Sequence, residues 1–321
     1  MSESGSETVP AWSRLAHIGA HAGSTDLRPQ LTDLGIDKVH RACDLAWTYS
    51  RADFEPYLNV ELKRSQWRET CAIAGSMAES LMLSAATYVE AVWHSNLLEA
   101  GTEPPGMAIA QRYLADTAVD TAVSVGHRLI NYGVRVARTV PITSEALGRE
   151  TKYDRLGPSY EPFSTDHRRA WLSLNKSEIK ELRRVLPADH HEALNILREL
   201  ECSTQWKTLF EIRNENFHRW RKEHESVVGV DAKSGNARDI YDHQGNLTGR
   251  AAGGHSRRHT AGDGLTERTT TAAGAGIRVV ADALDDIINN TLEVLPRIAD
   301  GFTVEYDGKR LKLSRAISHR P

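Results

Sequence analysis

Apolar side chains return every three or four residues over two long stretches of the chain, and these stretches set the expected architecture. From Gln66 to Ala100, the residues Trp67, Cys71, Ala74, Met77, Leu81, Ala85, Tyr88 and Val92 fall on one helical stripe. From Met107 to Val140, Leu114, Ala118, Thr121, Val125, Leu129, Tyr132 and Val136 repeat the pattern. Gly101 and Pro104-Pro105 separate the two runs, and Pro141 ends the second. Two long helices joined by a short turn are expected to pack antiparallel. A third helix is predicted from near Asn175, with Ser177 as its cap and Pro187 as its end, and a fourth from about Asp189 to Glu225. A fifth carries Ile277, Ala281, Leu284, Ile288, Thr291, Leu295 and Ile298.

Between these elements the pattern breaks down. Residues 1–60 start rich in Ser and Glu and then show short apolar patches interrupted by Pro29 and Pro56, which reads as a partly flexible helical segment. Residues 61–321 then form the main helical domain. Within it, residues 141–165 hold Pro141, Gly148, Gly157, Pro158 and Pro162 and read as a connecting loop. Residues 229–276 form a Gly-rich insertion, in which Ile240 to Thr248 around Gln244-Gly245-Asn246 suits a small hairpin. A second hairpin is expected where Thr303-Val304-Glu305-Tyr306 and Leu311-Lys312-Leu313 flank Asp307-Gly308, because Asp-Gly tolerates the positive backbone angles of a tight turn. The fold class is therefore all-α: a helical bundle of about five long helices with a Gly-rich insertion and small β-hairpin accessories.

Composition narrows the function classes. In 321 residues, 40 Lys and Arg face 43 Asp and Glu for a net charge of −3, so any phosphate-binding surface must be local. The three cysteines, Cys43, Cys71 and Cys202, are far apart and form no CxxC pair, which argues against a disulfide framework and for a reducing, cytoplasmic setting. Met1 to Pro10 is polar and acidic, and no run of apolar residues is long enough for a membrane span, so neither a signal peptide nor a membrane partner is expected. No Walker loop and no dinucleotide fingerprint occurs, and no cofactor is called for. His17 and His21 have the spacing of a metal pair but no third ligand nearby, so no metal site is assigned. His190-His191 reads as exposed, Arg257-Arg258-His259 as solvated loop charges rather than a phosphate contact, and His127-Arg128 as a solvated helix face rather than another wall of a binding cleft.

Chemistry concentrates in the fourth helix. Trp206, Leu209, Phe210, Arg213, Phe217 and Trp220 share one face, which puts a guanidinium inside an apolar stripe. Arginine cannot shed its charge, so it needs an acidic partner, an open cleft or a bound anion. Asn214 and His218 stand four residues apart, one helical turn above the other. One turn thus presents a permanent cation, an amide and an imidazole that exchanges protons near neutral pH. The pattern of Arg followed by His after four to six residues occurs eight times in this sequence, where chance alone gives about four. Requiring a short polar residue directly after the Arg leaves Arg213-Asn214 with His218 and Arg238-Asp239 with His243, and of these the first lies on a predicted amphipathic helix.

Arg213-Asn214-Glu215-Asn216-Phe217-His218 resembles the signature of the HEPN superfamily, small helical-bundle proteins whose motif sits on a late helix. The resemblance covers these six residues and the general helical layout of residues 61–300. It implies metal-independent cleavage of RNA, with His218 moving a proton, Arg213 stabilising charge on the phosphorane and Asn214 orienting the phosphate or His218. Arg219, Arg221 and Lys222 would then hold flanking phosphates. The family further implies a homodimer with two motifs facing one cleft, and a toxin or antiviral defence role with an antitoxin or defence-system partner. In the branch controlled by a nucleotidyltransferase antitoxin a Tyr follows two residues after the His; here that place is Trp220, so control by modification of that residue is not expected. Two other readings stay open: a non-catalytic nucleic-acid or nucleotide-binding module, and a protein–protein scaffold.

Overall fold

The computed structural model describes residues 34–51, 61–99, 107–163, 170–218, 227–230, 238–242, 244–251, 256–259, 265–298, 303–306 and 309–312. They are predominantly helical, as the periodicity predicts. The eight α-helices among them are α1 (Ile36–Ser50), α2 (Glu61–Glu99), α3 (Met107–Arg138), α4 (Pro141–Arg149), α5 (Lys176–Val185), α6 (His191–Cys202), α7 (Thr204–His218) and α8 (Leu265–Ile298). No helix among the described residues is long and apolar enough to cross a membrane.

The core is built from α1, α2, α3 and α8. Val39, Ala42, Cys43, Ala46 and Tyr49 form the buried stripe of α1. It runs antiparallel to α2, with the Tyr49 and Thr70 hydroxyls 3.0 Å apart and the Cys43 thiol donating to the Ala78 carbonyl. The sense of α2 against α3 is also antiparallel: Ser84 Oγ donates to the Ala118 carbonyl at 2.7 Å, and Arg128 further along α3 reaches Ser80 and Ser76, earlier on α2. Small buried residues, Ala74, Ala78 and Ala85 on α2 and Ala115, Ala118 and Ala122 on α3, suit the close approach of packed helices. α8 runs parallel to α1, since Lys38 meets Asp282 and Arg41 meets Asp285. The shorter helices α4 to α7 flank this core, and α6 and α7 rest on both α3 and α8.

Four boundaries differ from the sequence expectation, each for a local reason. Residues 141–165 are not a plain loop, because Pro141 starts α4: a proline suits the first helical position, where its missing N–H has no partner to lose. The cap of α5 is Asn175 rather than Ser177, its side chain accepting from the Glu178 amide at 2.9 Å. The long helix expected from Asp189 to Glu225 is interrupted at Ser203, whose hydroxyl accepts from the Trp206 amide and caps a new helix, α7. The last helix begins at Leu265, inside the Gly-rich stretch. Gly274 and Gly276 belong there because a Cβ would lie 2.8 Å from the Tyr88 ring and 2.7 Å from Leu209. Close packing on those two side chains offsets the cost of about 1 kcal/mol that each helical glycine carries.

Among the described residues, three antiparallel strand pairs accompany the helices. Val227–Val230 (β1) pairs with Ser256–His259 (β4), Arg238–Tyr241 (β2) with Leu247–Ala251 (β3), and Thr303–Tyr306 (β5) with Lys309–Lys312 (β6). Between β2 and β3 the Asp242 carboxylate accepts from the amides of Gln244 and Asn246, which holds it below its ordinary pKa, while Gly245 takes a φ of 82°.

Candidate functional site

Trp206 seats α7 on α3. Its ring lies over Gly126, where a Cβ would come within 2.2 Å of it, so only glycine leaves room for the indole at that crossing. Phe210, one turn along α7, stacks on Trp206 with centroids 6.1 Å apart. The imidazole of His127, projecting from α3, stands edge-on to both rings at 6.0 Å and 5.8 Å. Steps of four and three residues from Trp206 through Phe210 lead to Arg213 on the same face of α7, near enough for its charge to act on His127. Arg213 and Asn214 are both half-buried, and Arg213 Nη1 donates to Asn214 Oδ1 at 3.3 Å. The helix continues to His218, one turn past Asn214. The His218 side chain lies outside the described residues, as do Arg219, Arg221 and Lys222.

His127 is a fixed, neutral donor. The Leu174 amide donates to its Nδ1 at 3.0 Å, so the neutral ring carries its proton on Nε2. Burial, and then the positive charge of Arg213, push its pKa down to about 4. The expectation of a solvated His127-Arg128 face is thereby corrected: His127 is packed between helices, and Arg128 is taken up by Ser80 and the Ser76 carbonyl. His190 is likewise buried rather than exposed, and His191 Nε2 lies 3.0 Å from the Leu186 carbonyl oxygen.

The same face of α3 carries a series of polar residues spaced by four, four and three: His127, Asn131, Arg135 and Arg138. Together they clamp a strap of chain that leads into α5. Asn131 grips both backbone groups of Leu172, accepting its N–H at 2.9 Å and donating to its carbonyl at 2.7 Å. Arg135 donates to the Ala170 carbonyl, to Asn131 and to the Tyr160 hydroxyl, and it pairs with Glu69 at 3.4 Å. Arg138 donates to the carbonyls of Leu156, Gly157 and Tyr160. Burial brings its pKa down to about 10, so it stays charged at neutral pH. Both guanidiniums are about 1% exposed; the Glu69 carboxylate pairs directly with Arg135, and its charge also favours the protonated form of Arg138.

Of this row the sequence reading weighs only His127, as a wall of the cleft set aside for a solvated face. The signal of the whole row was a polar residue at every helical turn of α3 on a helix otherwise rich in Val, Leu and Ala. Arg257, Arg258 and His259 fall on β4, with their side chains outside the described residues, and His17 and His21 lie outside them altogether. Among the described residues, no three His, Cys, Asp or Glu side chains are grouped to hold a metal ion. Arg213 and Asn214 on α7, with the neutral imidazole of His127 beside them on α3, offer a cation, an amide and a ring N–H donor, a set suited to a phosphate oxyanion. The chain matches no protein-family model, no curated protein and no solved structure.

Proposed function

We propose that the chain is a metal-independent endoribonuclease of the HEPN type, acting as a homodimer in toxin or defence biology. The observation that carries this reading is the hydrogen-bonded Arg213–Asn214 pair beside neutral His127, on a helix that reaches His218 one turn later. A phosphate there meets a charge that pH cannot remove, and a neighbouring imidazole that carries no charge to compete for it.

In this reading the ribose 2′-oxygen attacks the adjacent phosphorus, the P–O2′ bond forms and the P–O5′ bond breaks. His218 takes the 2′-hydroxyl proton or returns one to the departing 5′-oxygen, leaving a 2′,3′-cyclic phosphate and a 5′-hydroxyl. Arg213 stabilises the extra negative charge of the phosphorane and Asn214 holds the phosphate oxygens, while Arg219, Arg221 and Lys222 bind flanking phosphates.

The test is incubation of the full chain with a mixed single-stranded and transfer RNA pool in chelator, alongside His218→Ala and Arg213→Ala shown by circular dichroism to fold. Wild type is expected to leave 2′,3′-cyclic phosphate ends, with each variant slower by about a hundredfold or more. Intact RNA after incubation with wild type overturns the cleavage reading, and RNA binding that persists in that case marks a non-catalytic binding module.

A further inference from the structure

Trp171 stands out among the exposed apolar side chains because a polar framework holds it in place. It is 40% exposed, on the strap that Asn131 and Arg135 clamp to α3. Its neighbours on the strap, Ala170 and Leu172, point inward and are buried. Their backbone groups are bonded to α3 side chains, so the chain on either side of the indole is held. Beneath the ring lies the Arg135 guanidinium, 5.3 Å from its centroid and itself sealed from solvent. The ring thus has a buried cation on one side and water within reach.

This is the construction of a stacking platform. A nucleobase stacked on the exposed indole would complete a base–indole–guanidinium arrangement, and the fixed strap removes most of the ordering cost of binding. The strap also connects the platform to the α7 turn: three residues after Trp171, Leu174 donates to His127, the imidazole next to Arg213. Three extended residues span on the order of 10 Å, so a short length of chain joins the platform to the imidazole beside Arg213.

We infer that Trp171 binds an unpaired base of single-stranded RNA flanking the phosphate held at Arg213. The inference rests on the ribonuclease reading of the α7 motif. The stack tolerates any base, because every base has a π face, and it selects against duplex RNA, whose bases are already stacked on one another.

Fluorescence anisotropy of a labelled single-stranded oligoribonucleotide tests it, using full-length His218→Ala protein so that the probe stays intact. In that background, Trp171→Leu keeps an apolar side chain on the strap without a π face, and Trp171→Phe keeps the face. Binding is expected to weaken on the order of tenfold in the Leu variant and to return most of the way in the Phe variant, with duplex RNA affected by neither. Equal affinities for the Leu and Phe variants, or an unchanged affinity in both, overturn the platform while leaving the ribonuclease reading in place. A parent protein that binds no single-stranded RNA removes both. Hydrogen exchange at the Leu172 amide, unchanged in both variants, confirms that the strap has stayed clamped.

Discussion

Arg135 and Arg213 are both guanidiniums on helices rich in apolar residues, and the protein uses them in opposite ways. Arg135 is sealed from solvent, balanced by Glu69, and bonded to Asn131, Tyr160 and the strap. Its charge is committed to holding Tyr160 and Ala170 against α3. Arg213 is half-exposed on the last turns of α7, and its charge helps keep His127 neutral. The same residue type in the same kind of sequence setting is thus structural in one place and a candidate for chemistry in the other. Solvent access and the nature of the neighbours decide which.

The largest expected effect comes from removing the carboxylate that balances Arg135. Glu69→Ala leaves the buried Arg135 guanidinium without its ion-pair partner and is expected to cost about 3–5 kcal/mol in urea denaturation. A variant as stable as wild type would mean that Arg135 is no more committed to the fold than Arg213, and the comparison would fail. Next in size is Asn131→Ala, which strips both partners from the Leu172 backbone and should cost about 2–3 kcal/mol. Faster hydrogen exchange at Leu172 and Leu174, with little change within α1, would place that loss on the strap.

The smallest effect sharpens the Arg213 side of the comparison through pH. His127 titrates at about 4 in the folded protein, against about 6.5 when unfolded, so within that window the unfolded chain binds more protons. Stability is therefore fully present above pH 6.5 and falls as pH drops toward 4. Allowing for the partial exposure of the ring, His127 contributes about 2 kcal/mol to that fall. His94 and His190 are also depressed by burial, so His127→Gln should flatten the stability–pH curve only in part. An unaltered slope would show that His127 is neither buried nor near the Arg213 charge.

The sequence by itself determined the helical class, the positions of α2 and α3, and the face of α7 on which Arg213 lies. A helix repeats every 3.6 residues, and that repeat is written locally in the order of apolar and polar side chains. It also showed that Arg213, Asn214 and the position of His218 share neighbouring turns, since residues four apart on a helix are neighbours wherever the helix packs. Where a choice depended on distant contacts, local reading stopped short. Pro141 ends one helix and begins the next, and both fit its fixed backbone angle. Gly274 and Gly276 look like helix breakers until Tyr88 and Leu209 are placed against them. His127 looks like a surface residue until Leu174, 47 positions later, donates to its ring and α7 covers it with Phe210. Only the tertiary structure decided which polar groups are buried, which imidazole stays neutral and which aromatic ring faces water, because burial and charge depend on residues that the chain brings together from far apart.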